Sequence, residues 1–205
     1  MSISTTSDTR TKTIERTVCL QGITDVMFDR YPGDNKTKLA WHEKVYLRPG
    51  TQELCLPAMN IVSFLSSHNT NSAPKRLRDS RTFKKTANAC LSFVVISPID
   101  RSHGQFVQFL RDGNPIVMGT PGVDRDEQSG LYLHRAVARL DKGIPNPKER
   151  PTLPTPWSIR FRLMIIQNQE IKEQEVRNLF VEGGLAIGLG TFRGVFGKFD
   201  VSQWD

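Results

Sequence analysis

Apolar and polar residues alternate with a period of two near both ends of the chain. In WSIRFRLMII (157–166), Trp157, Ile159, Phe161 and Leu163 alternate with Ser158, Arg160 and Arg162. That pattern predicts a strand with one buried face. IERTVCLQGIT (14–24) predicts an opening strand around Val18 and Leu20, ended by Gly22. LSFVVISPI (91–99) is continuously apolar and β-branched, the mark of a buried strand. KVYL (44–47), FVQFL (106–110) and IVMG (116–119) predict short strands, and KFDVSQW the last one.

The period changes to that of a helix in two places. After Leu54 and Leu56, Pro57 suits a first helical turn, and Ile61, Phe64 and Leu65 then share a face. EIKEQEVRNLFVEGG (170–184) turns Ile171, Val176, Leu179 and Phe180 toward a core, and Gly183-Gly184 is expected to stop it. LYLHRAVARL (131–140) fits a strand or a helix. Turn residues fill 25–38, around Pro32-Gly33-Asp34-Asn35, and also 112–115 and 119–131. Five prolines in 141–156 predict a stiff, extended connector or a long excursion on one face.

The opening therefore reads strand, excursion, strand, helix, basic loop, strand. The ending reads strand, helix, glycine-rich turn, strand. Two such halves on one antiparallel sheet predict an α+β, ferredoxin-like (RRM-like) fold with helices on one face. The expected organisation is a flexible tail over 1–13 and a single domain over 14–205. Excursions are expected at about 25–53 and 100–157.

Charge narrows the function. The chain has 205 residues and a formal net charge of +7, which favours polyanionic partners. Six cations lie within 75–85: Lys75, Arg76, Arg78, Arg81, Lys84 and Lys85, with Asp79 as the lone acid. They repel one another unless an anion is present. If this segment is helical, Arg78, Arg81 and Lys85 fall on one face and track a phosphate backbone. The alternative is a solvated loop kept soluble by charge. Phe83 either stacks on a base or anchors the loop.

Glycines supply a second candidate. EGGLAIGLGTFRGVFGKF (182–199) carries six glycines between Gly183 and Gly197, with Arg193 and Lys198 beside the last of them. Glycine lets another backbone or a ligand come close. Such a turn in a basic chain predicts N–H groups of Gly188, Gly190 and Gly194 laid against phosphates, with Arg193 and Lys198 completing the site. The other reading is a tight turn and bulged strand packed on a helix.

Catalytic motifs are missing. His42, His68, His103 and His134 are scattered without HExxH spacing, and GLGTFRG matches neither a Walker A loop nor GxGxxG. Asp25, Asp29 and Asp34 sit in one loop, where a carboxylate could hold a metal near a scissile phosphate, or simply form turns. No catalytic residue, metal or cofactor is assigned. Cys19, Cys55 and Cys90 are widely spaced in apolar stretches, which predicts free thiols, not a disulfide frame. No apolar run has the length of a membrane span, and the polar, basic start is unlike a secretory signal. A cytoplasmic location is expected.

These residues carry a resemblance. GGLAIGLGTFRGVFGKFDV resembles the C-terminal glycine-rich signature of the RAMP (repeat-associated mysterious protein) superfamily of CRISPR-associated proteins. LPAMNIVSFL, Leu56 to Leu65, resembles its strand-to-helix LPxxSIxGxLR element, in the expected order. The class most similar is the backbone subunit of RNA-guided effector complexes. The resemblance implies an RRM-like fold, guide-RNA binding, and assembly with copies of itself and other effector subunits. It also admits a virus-encoded or mobile-element mimic. Two alternatives stand beside it: a metal-dependent ribonuclease of the same superfamily, and a structural or assembly protein of a virus or mobile element.

Overall fold

The computed structural model describes residues 12–34, 36–139 and 145–205. In chain order its strands are β1 (Thr13–Gly22), β2 (Val26–Met27), β3 (Cys55–Pro57), β4 (Val94–Pro98), β5 (Phe106–Arg111), β6 (Asn114–Pro115), β7 (Tyr132–Arg139), β8 (Pro145–Leu153), β9 (Ser158–Ile166) and β10 (Phe199–Trp204). The helices are α1 (Ala58–Ser66), α2 (Ala73–Leu77), α3 (Phe83–Phe93) and α4 (Glu173–Ala186). Residues 1–11 of the expected tail, and 141–144 of the proline-rich stretch, lie outside the described residues.

β9 is the middle of the sheet. It pairs antiparallel with β1 from Ser158↔Gln21 to Ile166↔Thr13, and on its other edge with β4. β10 pairs antiparallel with the outer edge of β1. The order β10-β1-β9-β4, with helices between β1 and β4 and between β9 and β10, is the split βαβ arrangement of a ferredoxin-like α+β fold. Alternation decides the faces. Ile159, Phe161, Leu163 and Ile165 are buried, whereas Arg160 between them is exposed. Phe64 of α1 and Phe180 of α4 stack over this face with ring centroids 5.6 Å apart, and Phe180 also meets Phe161.

Apart from β3, which leads into α1, the remaining strands come from two excursions. β5 pairs with the start of β9 and carries β6 and β3. β2, β8 and β7 form a separate three-stranded sheet. Its β8 includes Pro145, Pro147 and Pro151, so the expected connector is a strand in the described part. These prolines lie an even number of residues apart, which puts every missing N–H on the edge away from β7 and leaves that ladder intact. β7 resolves the 131–140 ambiguity as a strand. The loop before it turns around Asp126, which is 1% exposed. Its carboxylate accepts from the N–H groups of Gly119 and Ser129, both at 3.1 Å, and from the Ser129 hydroxyl.

Several local expectations were overturned. Residues 91–93 finish α3 instead of opening a strand: the helix packs against α1 and buries Ala87, Ala89 and Cys90 before β4 begins. The basic stretch 69–88 contains α2 and the start of α3. Ser72 caps α2 by accepting from the Lys75 N–H, and Ala73 and Pro74 are buried there. KVYL and IVMG contribute isolated bridges, Leu47↔Leu54 and Glu53↔Val117, not strands of their own. α4 runs past Gly183-Gly184 to Ala186. Those glycines serve packing: a Cβ on Gly183 would lie 2.6 Å from Ala73, and one on Gly184 would lie 2.5 Å from the Phe199 carbonyl oxygen.

Two outcomes follow from these contacts. Gly184→Ala should cost about 1–3 kcal/mol through overpacking, read as a lower urea midpoint with an unchanged slope. Burial pushes the Asp126 carboxyl up, but its Ser129 and Gly119 hydrogen bonds outweigh that and hold it below the ordinary value. Because the folded state binds this proton less readily, the contribution is complete above the ordinary carboxylate range and fades as pH falls through the depressed value. Asp126→Asn should therefore flatten the acid side of the stability profile below the ordinary aspartate value of about 4, measured by urea unfolding at a series of acidic pH values.

Candidate nucleic-acid interface

The glycine turn spans 187–198, between α4 and β10. Its ladder is mostly internal. The Leu189 N–H donates to the Gly197 carbonyl at 2.8 Å, Gly194 to Ile187 at 2.7 Å, and Gly188 to Gly183 at 3.2 Å. The turn then docks on the chain leaving β1. Thr191 donates to the Met27 carbonyl at 2.9 Å, Gly197 to Asp25 at 2.7 Å, and Lys198 to the Thr24 hydroxyl at 3.0 Å. At Gly190, φ is +78°, and a Cβ would lie 2.5 Å from the Met27 carbonyl oxygen. Close backbone approach is thus the reason for glycine here, and it brings the turn against the protein's own chain. The N–H groups of Gly188 and Gly194, expected to face phosphates, are occupied by carbonyls.

Arg193 joins the turn to the second candidate. Its Nε donates to the Gly190 carbonyl at 3.2 Å and its Nη1 to the Asn71 carbonyl at 2.7 Å. Burial pulls the guanidinium down from its ordinary value. Asn71 lies in the loop 67–72, which leads into the basic segment. The same loop receives the Lys75 Nζ on the His68 carbonyl at 3.0 Å, and the His68 ring meets Phe83 edge-on at 6.1 Å. Phe83 therefore has a structural partner.

α2 then lies along α4. Ala73 abuts Gly183 near the end of α4, and Arg78 Nη2 lies 3.6 Å from Glu175 in its first turn. Lys75 and Arg76 are nearest the glycine turn and Arg78 reaches the first turn of α4, while the Phe83–His68 contact brings the start of α3, with Lys84 and Lys85, back beside the 67–72 loop. Arg76, Arg81, Lys84 and Lys85 are exposed. The expected shared helical face is not formed. α2 ends at Leu77 and α3 starts at Phe83. Between them Asp79 accepts from the N–H groups of Arg81 and Thr82 at 2.7 and 3.0 Å, a local turn that places Arg78 and Arg81 outside either helix.

The acids of the first excursion do not converge. Asp25 accepts from the Tyr132 hydroxyl at 2.9 Å and the Thr155 N–H at 3.0 Å. Asp29 is paired with Arg150 at 2.8 Å, and Asp34 closes its own turn on Lys36 and Thr37. Among the described residues, no group of three or more His, Cys, Asp or Glu side chains could hold a metal. Asp29 instead lines a cleft of about 180 Å³ between the first excursion and the turn, with Tyr46, Asn60 and Gly190 also on its walls. The cysteines are free, and burial pushes the Cys55 and Cys90 thiols up to about 12. Among the described residues, no helix is long and apolar enough to cross a membrane.

The sequence reading passed over the tip of the turn. Phe192 has φ of +53° and is 56% exposed, beside Val195 at 57%. Its ring lies 6.1 Å from that of Phe196, which in turn meets His134 of β7 at 5.2 Å. The signal was an aromatic residue embedded among glycines next to an arginine.

No family model matches the chain, and no curated protein matches it. Among solved structures it is similar to a chain in a cryo-EM structure of the Type III-B Cmr-beta bound to cognate target RNA. The TM-score is 0.53 with 11% identity. The likeness is one of fold. It covers 95% of this chain and 60% of the other, so the present chain spans less than two thirds of that protein's length.

The clash at Gly190 has a built-in comparison. Gly194 also has positive φ, +97°, but nothing lies within 4 Å of a Cβ built there. Gly194→Ala should cost about 1–2 kcal/mol from backbone strain alone. Gly190→Ala adds the Met27 collision and should cost roughly 1–3 kcal/mol more, measured by urea unfolding of both variants.

Proposed function

We propose that the chain is a non-catalytic, guide-RNA-binding subunit of the backbone type in a RAMP-containing ribonucleoprotein effector complex, or a virus-encoded mimic of one. The observation that carries this reading is the Arg193–Asn71 hydrogen bond. It joins the glycine turn to the loop that opens the cationic segment, so both belong to one surface. The fold likeness to a chain in the RNA-bound Cmr-beta structure supports the reading, as do the two sequence elements that resemble RAMP signatures.

In this reading phosphates are held by side chains more than by the turn's amides. Lys75, Arg76, Arg81, Lys84 and Lys85 offer a group of exposed cations on the segment joined to the turn, with Lys198 beside its base. Arg78 contributes less, because Glu175 already faces it. Gly188, Gly190 and Gly194 act by shaping the turn. Arg193 acts by locking it to Asn71, which keeps its charge beside the same surface. Pairing between nucleic acids reads sequence, so the protein needs only charge and shape. Copies of the chain and other effector subunits would share the strand, in the cytoplasm.

Filter binding of single-stranded RNA across a salt series tests this. Affinity should fall steeply with salt, by about 0.7 in log–log slope for each phosphate neutralised on a single strand. Reversing Arg81, Lys84 and Lys85 together to Glu should weaken binding at least about tenfold at low salt and flatten the slope by roughly 2. Arg78→Ala should change it little. A salt-independent signal, or indifference to the triple reversal, would reject the proposal.

A further inference from the structure

The tip of the glycine turn holds an aromatic residue in a conformation its own side chain opposes. Phe192 has φ of +53°. A bulky L residue avoids that region because Cβ crowds the following carbonyl. Such strain is ordinarily offset by burying the ring, yet Phe192 remains 56% exposed. The conformation is imposed from both flanks. Before it, Thr191 is bonded to Met27 and Gly190 is wedged against the same carbonyl. After it, Gly194 is bonded to Ile187, and the Arg193 guanidinium grips the Gly190 and Asn71 carbonyls. The surroundings over-determine a strained, outward-facing ring, an arrangement typical of functional sites.

We propose that Phe192 is a stacking platform for an unpaired base of the bound RNA, a role that rests on the RNA-binding reading above. Stacking on an aromatic face is indifferent to base identity, which suits a protein that leaves sequence to pairing. A base arrives with a phosphate on either side. The seventeen residues from Gly183 to Phe199 hold no acid, and they carry Arg193 and Lys198. The fixed backbone presents the ring in advance, so little freedom is lost on binding. Phe196 and His134 back the ring from the side of β7. A protein partner is less suited, because the exposed pair Phe192 and Val195 is set among glycines and a cation.

The test uses the full chain and oligouridine. Phe192→Asn removes the ring and substitutes a residue that tolerates positive φ. It should raise Tm by a few degrees while weakening oligouridine binding about 5- to 100-fold, with the salt slope unchanged. Phe192→Trp should restore affinity, and its added fluorescence should be quenched by oligouridine. If Phe192→Asn binds as tightly as wild type, stacking is wrong, although the RNA-binding reading stands. If wild type itself shows no salt-sensitive binding, both fall. If Phe192→Asn alters sedimentation of the protein alone and leaves oligouridine affinity untouched, the ring is a contact between copies, and the proposal is overturned.

Discussion

The pairing of β1 with β9 is the constraint on which the rest depends. These strands lie more than 130 residues apart in sequence and meet over nine consecutive pairs. Once they meet in this register, Val18, Leu20, Phe161 and Leu163 face one side, and α1 and α4 must cover it. A shift of one residue would turn these side chains out and Arg160 and Arg162 in. α4 then delivers its glycine turn to the end of β1 where the first excursion leaves. The turn docks on Thr24, Asp25 and Met27 because that is the backbone it finds there.

From that docking comes a division of labour within the turn. Glycine allows two backbones to approach without Cβ atoms between them, and the amides are consumed in doing so. What remains facing outward is side-chain chemistry, above all the exposed Phe192 ring. The charge that a polyanion would meet therefore lies mainly on the neighbouring segment. α2 holds it against α4 through Ala73 at one end and Arg78 at the other.

The sheet was legible in the sequence because burial on one face leaves a period-two trace in β1 and β9. The long helix was legible because its buried stripe, Val176, Leu179 and Phe180, repeats at helical spacing. The short helices were not. α2 is five residues long, and its buried positions are Ala73 and Pro74, which carry no apolar signature. α3 buries Ala87, Ala89 and Cys90, small residues masked by the lysines beside them. Proline obscured β8 for the opposite reason: its residues suggest a linker, and only the partner strand β7 shows that the missing donors face away.

By itself the sequence determined the α+β class, the two core strands and the helices that cover them, since local patterning encodes which face of an element avoids water. It also determined the abundance of cations and glycines. Only the tertiary structure decided what those residues do. It occupied the Gly188 and Gly194 amides, paired Arg78 with Glu175, kept Asp25, Asp29 and Asp34 apart, and drew Arg193 onto Asn71. The pairings of Arg78, Asp25, Asp29 and Arg193 depend on partners distant in the chain, those of Gly188, Gly194 and Asp34 on near neighbours, and in both cases a hydrogen bond or a close backbone approach leaves no periodic mark in the residues that make it.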